Sequence, residues 1–177
     1  MATLTRVFAF DAAHRVMNER VKCFNLHGHR FQVELTFEFT EKSALGYAID
    51  FKELKRIAGD WLNEMFDHAA ILNPRDTELI DLCTRMGFRM YIMGLGRDGD
   101  INPSAENLAS EIFFSIRKLF EYSGEPIRLK NVRLYETPNC WVDCQAADYV
   151  ATDEVISKLS LWRKDKGIMV YDVREVE

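Results

Sequence analysis

Three of the chain's four histidines fall at His14, His27 and His29, and a thiol, Cys23, lies four residues ahead of His27. His27 and His29 are separated only by Gly28. If this stretch opens a strand, alternate side chains share a face and both imidazoles project together. Two neighbouring imidazoles suit a tetrahedral zinc ion, and His14, at the end of a preceding strand, can supply the third. Three protein ligands leave the fourth position open, as in a catalytic zinc rather than a structural one. Gly28 removes a side chain between the ligands and lets backbone or ligand come close. The competing reading of a short His-x-His is a turn carrying two surface histidines; the concentration of histidines at one strand junction argues against it.

Other residues extend this chemistry. A cysteine beside a dication and imidazoles has its thiolate favoured, so Cys23 is a candidate base or nucleophile. The alternative is a fourth zinc ligand, which would close the site and argue for a structural metal. In Asp67-His68 the carboxylate can orient or charge-stabilise the imidazole, making the pair a proton shuttle with Cys23. The bland alternative is a histidine placed favourably at a helix C-terminus. Glu136 ends a strand in Tyr135-Glu136-Thr137-Pro138, where its carboxylate can accept two parallel N–H bonds from an aminopyrimidinone edge. Most strand-end glutamates are simply solvated. Cys140 and Cys144 share a strand face without a zinc-knuckle spacing and are read as core or sheet residues.

The elements that position these groups follow from periodicity. Residues 3–14 alternate, with Leu4, Arg6, Phe8 and Phe10 on one face. Residues 30–40 give the cleanest half-buried strand, with Phe31, Val33, Leu35, Phe37 and Phe39 on one side. Over 50–66 the period changes to three and four, an amphipathic helix with Asp50 as N-cap and Glu53 placed to close a capping box. A second helix follows Pro103, carries Leu108, Ile112, Ile116 and Leu119 on one stripe, and ends at Gly124. Two strands, 127–136 and 140–149, flank a turn at Thr137-Pro138-Asn139. The order ββααββ predicts an α+β layer: a four-stranded antiparallel sheet with both helices on one face. Residues 1–150 form the domain. Within it, 74–102 is a long connection with a short helix near 77–86 and a glycine-rich exit through Gly94, Gly96 and Gly99. Residues 151–177 read as a C-terminal extension that packs on the domain or on a neighbouring subunit.

Taken in order, Phe10-Asp-Ala-Ala-His14, Cys23-Phe-Asn-Leu-His27-Gly-His29, Asp50-Phe51, Asp67-His68, Asn102-Pro-Ser-Ala-Glu106-Asn and Tyr135-Glu136-Thr137 resemble the 6-pyruvoyl-tetrahydropterin and 6-carboxy-tetrahydropterin synthase family. The resemblance spans about residues 3–150. It implies the tunnelling fold, a homo-oligomer (commonly a hexamer of two trimers) and active sites between subunits. It implies zinc on His14, His27 and His29, Cys23 as general base, Asp67 and His68 as relay, Glu136 as pterin anchor and Glu106 in a less direct supporting role. Three residues between Cys23 and His27 resemble the bacterial 6-carboxy enzymes of queuosine biosynthesis, which act on 7,8-dihydroneopterin triphosphate. Arg15, Lys22 and Arg30 are candidates for the triphosphate from charge and position. The stretch after His68 is one residue longer than the commonest family form, and the 74–102 connection and the C-terminal extension are longer than usual.

Bulk properties fit a compact enzyme. Over 177 residues, 47% are hydrophobic and 29% charged, and the net charge is -5. An anionic chain of this balance disfavours nucleic acid and anionic membranes as partners. No apolar run suits a bilayer span, and the N-terminal residues lack the pattern of a signal peptide. The expected location is the cytoplasm, with the four cysteines as reduced thiols.

Overall fold

The computed structural model describes residues 2–94 and 101–145. Two long strands dominate: β1, Ala2–His14, and β2, His27–Phe39. They pair antiparallel in continuous register, with His14 opposite His27, Ala12 opposite His29 and Phe10 opposite Phe31. β5, Arg128–Thr137, pairs with β2, and β6, Cys140–Cys144, pairs with β5, both antiparallel. These are the four strands read from the sequence, and the part of the last one beyond residue 145 lies outside the described residues.

The sheet has six strands rather than four. β3, Ala70–Leu72, lies parallel to β1, and β4, Met90–Ile92, lies parallel to β3, giving the order β4-β3-β1-β2-β5-β6. Each has three residues, too few for alternation to register as a period. The purely antiparallel sheet is thereby corrected to a mixed one. The short helix of the long connection forms over Thr77–Met86 as α3, capped by the buried Asp76 carboxylate and ended by Gly87 in the left-handed region. The glycine-rich exit falls largely on residues 95–100, and the extension on 151–177, both outside the described residues.

Residues 51–66 form one helical run in three parts: α1, Phe51–Leu54, a π turn over Lys55–Gly59, and α2, Asp60–Phe66. Asp50 caps it by accepting the Lys52 N–H at 2.8 Å. The capping box does not form, because the Glu53 carboxylate pairs with Arg56 instead. α4, Ala105–Ser123, starts at the Ser104 cap and stops at left-handed Gly124. Its stripe, with that of α2, buries against Phe10, Phe31, Val33, Leu35, Phe37, Val132 and Leu134. That apolar set is the inner face of β1, β2 and β5, so these helices do cover one face. Among the described residues no helix is long and apolar enough to cross a membrane.

Candidate functional site

The inner face of the sheet changes character at one end. Along β2 the buried series Leu35, Val33, Phe31 continues to His29 and His27; along β1, Phe10 and Ala12 continue to His14. The histidines therefore occupy the last positions of a core face, with the Phe31 ring as floor, 5.6 Å from both His14 and His29. The three imidazole centroids lie 4.6, 5.1 and 5.0 Å apart. One ligand nitrogen from each falls within 4.8 Å of the others. Gly28 runs close to the facing strand: a Cβ there would stand 3.1 Å from the Ala12 carbonyl oxygen.

Backbone carbonyls fix two of the rings. His14 Nδ1 lies 2.7 Å from the Pro103 oxygen, and His27 Nδ1 lies 2.7 Å from the Asn25 oxygen. A carbonyl only accepts, so each Nδ1 carries the proton and each Nε2 presents a lone pair. His14 Nε2 is fully buried with no hydrogen-bond partner. An orphaned acceptor of this kind is costly unless something fills its place. Burial also holds the His14 imidazole below its usual pKa, outweighing the opposing Pro103 bond, so the neutral, ligating form is favoured. Three imidazoles converging on one point make a donor set that could hold a metal ion.

Glu136 stands beside this set. It is the extra residue of a bulge between Tyr135 and Thr137 of β5, and it continues the inner-face series Val132, Leu134. A bulge re-aims a side chain next to a site. Here Oε1 comes to 3.5 Å from His14 Nε2 and 3.9 Å from His29 Nε2.

The remaining residues singled out in the sequence stand apart. Cys23 sits exposed in the 3-10 turn Lys22–Phe24 just before His27, and it is not one of the three converging donors. Asp67 and His68 lie at the β3 side of β1. Asp67 Oδ1 accepts the Asp11 N–H at 3.0 Å, Oδ2 meets His68 Nδ1 at 2.7 Å, and the Asp11 carbonyl accepts the His68 N–H at 2.7 Å. The Asp11 N–H, with His68, draws the Asp67 carboxyl below its usual pKa. His68 takes a left-handed backbone, φ 56°, and its side chain is 75% exposed. It borders a groove of about 860 Å³ shared with Asp11, Gly28, Arg30 and α3, whose lining also reaches His29. Glu106 is exposed in the first turn of α4. Of the triphosphate candidates, Arg15 is committed to Asp76 and Arg30 pairs with Asp11.

Sequence reasoning missed the supports. Asn102 accepts the Met17 N–H at 2.8 Å and an Asn73 N–H at 2.9 Å, and it donates to the Met17 carbonyl. Its own carbonyl accepts from Asn107. This network fixes the adjacent Pro103 carbonyl on which His14 depends. The signal was the Asn102-Pro103-Ser104 helix start, read as an entry to α4 and as part of the family pattern but not as a support for His14.

Comparison with known proteins places this geometry. The sequence profile described as 6-pyruvoyl tetrahydropterin synthase matches residues 3–147. The chain belongs to that family. A Rickettsia felis protein named 6-carboxy-5,6,7,8-tetrahydropterin synthase is 40% identical over 147 residues, covering 81% of this chain and 99% of the relative. Among solved structures, an uncharacterized protein from Wolinella succinogenes superposes with a TM-score of 0.67 at 18% identity, covering 81% of this chain and 97% of that one. The Caenorhabditis elegans 6-pyruvoyl tetrahydropterin synthase superposes with a TM-score of 0.57 at 21% identity, covering 82% and 95%. The two structures establish that this family member shares their fold.

Proposed function

We propose that the chain is a zinc-dependent lyase that converts 7,8-dihydroneopterin triphosphate and one water to 6-carboxy-5,6,7,8-tetrahydropterin, releasing acetaldehyde and triphosphate, within queuosine biosynthesis. The observation that carries this reading is the buried, unpartnered His14 Nε2 converging with His27 and His29 beside a strand-end carboxylate. The name borne by the Rickettsia relative supports the choice of reaction.

His14, His27 and His29 would hold zinc, which when bound supplies Lewis acidity at the substrate's side-chain hydroxyls. Glu136 anchors the ring by accepting from its amino and ring N–H groups, leaving the side chain over the histidines. Cys23, as thiolate, removes a side-chain proton; Asp67 orients His68 to accept and return protons. Glu106 supports the ring end from the start of α4. His68 borders the groove that reaches His29 and is largely exposed, which leaves it open to a neighbouring copy. That agrees with the homo-oligomer, a hexamer of two trimers, implied by the family. The reaction requires no nucleic acid or membrane, and the proposed location is the cytoplasm.

The second reading is 6-pyruvoyl-tetrahydropterin synthase activity, which stops after triphosphate elimination; the family's description supports it. A non-catalytic, zinc-stabilised pterin-binding protein is the third. Incubation of the zinc-loaded protein with dihydroneopterin triphosphate separates them. Acetaldehyde and triphosphate in equal amounts support the first reading. Triphosphate without acetaldehyde supports the second, and release of neither leaves the third.

A further inference from the structure

The turn that carries Cys23 has no buried residue of its own, so core packing does not hold it. Two consecutive residues after His14 do. Val16 donates its N–H to the Cys23 carbonyl at 2.8 Å. The Arg15 guanidinium lies over the Phe24 ring, 5.2 Å from its centroid. Arg15 is itself gripped from the other side: Nε donates to Asp76 Oδ2 at 2.5 Å and Nη2 to Oδ1 at 2.6 Å. Asp76 is 1% exposed and also caps α3 through the Leu79 N–H. A buried carboxylate in a bidentate pair is a rigid anchor, and a guanidinium so fixed presents a flat cationic face to an aromatic ring. The same turn passes its order onward. The Lys22 carbonyl accepts the Asn25 N–H at 3.0 Å, and the Asn25 carbonyl holds His27 Nδ1.

We propose that Arg15 is a positioning residue: gripped by buried Asp76 and stacked on Phe24, it fixes the Lys22–Phe24 turn, and with it the Cys23 thiol, relative to the three histidines. The inference rests on the reading of Cys23 as the base. It withdraws Arg15 from the residues that bind the triphosphate: charge and position had pointed there, but its charge is paired with the Asp76 carboxylate through Nε and Nη2.

The test uses the zinc-loaded full chain. Phe24→Leu removes the ring from an exposed position and leaves the fold intact. Arg15→Gln alone would strand a buried carboxylate, so it is made together with Asp76→Asn. Hydrogen exchange across residues 15–25 is measured without substrate, and kcat and KM with it. Phe24→Leu and the Arg15→Gln/Asp76→Asn pair should each speed exchange of the Val16 amide by about tenfold, as expected for a turn released from local order. Each should lower kcat by about tenfold, with KM and zinc content unchanged, the pattern of a lost orientation rather than lost binding. Combining the two changes should add little, because they break one clamp. Phe24→Tyr, which keeps the ring face, should restore both readouts. A raised KM with unchanged kcat would make Arg15 a substrate ligand and overturn the proposal; unchanged Val16 exchange would overturn it too. If the unaltered chain shows no turnover, the functional reading fails by itself, and the exchange result still decides whether the clamp exists.

Discussion

Replacing Glu136 by glutamine separates a pterin enzyme from a generic metal site. The bulge places Oε1 3.5 Å from His14 Nε2 and 3.9 Å from His29 Nε2, so the carboxylate stands at the edge of the metal position. Glutamine keeps the shape, removes the charge and turns one acceptor into a donor. Against an aminopyrimidinone edge, one of two bonds is lost and a donor then faces a donor. A hydrogen bond to a charged group contributes about 1.5–3 kcal/mol, and an unmatched buried group adds to the loss. Since 1.4 kcal/mol is tenfold in binding, dihydropterin affinity should fall by at least about tenfold. Zinc content should not change. The carboxylate favours a proton on His14, so its removal leaves that imidazole more firmly neutral. Calorimetric titration of a dihydropterin into both proteins, with metal analysis alongside, gives both numbers. Equal affinities would refute the reasoning. A fall in zinc content would instead make Glu136 a fourth ligand and the site a closed one.

Two other outcomes follow from the same geometry. Cys23→Ala should keep zinc and fold, because the thiol is not among the converging donors, while turnover falls by roughly a hundredfold to ten-thousandfold, as for loss of a positioned acid–base group; near-native turnover would remove Cys23 as the base. Asp67 has its folded pKa below the ordinary 3.8, so its ties to Asp11 and His68 contribute stability that is complete above that value and is lost as pH falls through the folded pKa. Asp67→Asn should therefore flatten the acid limb of the stability curve below about pH 4, read by denaturant midpoints across pH, and an unchanged limb would contradict the assignment.

The chain's long-period features were legible and its short ones were not. Alternation through His27, His29, Phe31 and Val33 carries both the strand and the convergence of the imidazoles, because one period governs core and ligands alike. The stripe of α4 was equally readable, since nineteen residues give the helical period room to repeat. β3 and β4 have no such length, and what places them is pairing with partners distant in the chain: Ala13 with Ala70, and Ala70 with Met90. Backbone carbonyls were invisible for a different reason. Pro103 and Asn25 act on His14 and His27 through oxygens that every residue type possesses, so residue identity carries no signal. The Glu53 capping box was a local rule overruled by a local competitor, Arg56 three residues on. Arg15 could be read only for its charge and position, because its partner Asp76 is remote in sequence.

The metal content of His27→Ala tests the central claim most directly. His27 is one of three converging ligands, and its Nδ1 is already spent on Asn25, so Nε2 is its only free donor. The unaltered chain, reconstituted and dialysed, should carry one zinc per chain. His27→Ala leaves two imidazoles, which hold the ion far less tightly. Zinc should fall to a small fraction of stoichiometric, with turnover lost in step and the circular-dichroism spectrum retained. Stoichiometric zinc in His27→Ala would contradict the account, because the ion would then sit somewhere other than the end of β1 and β2.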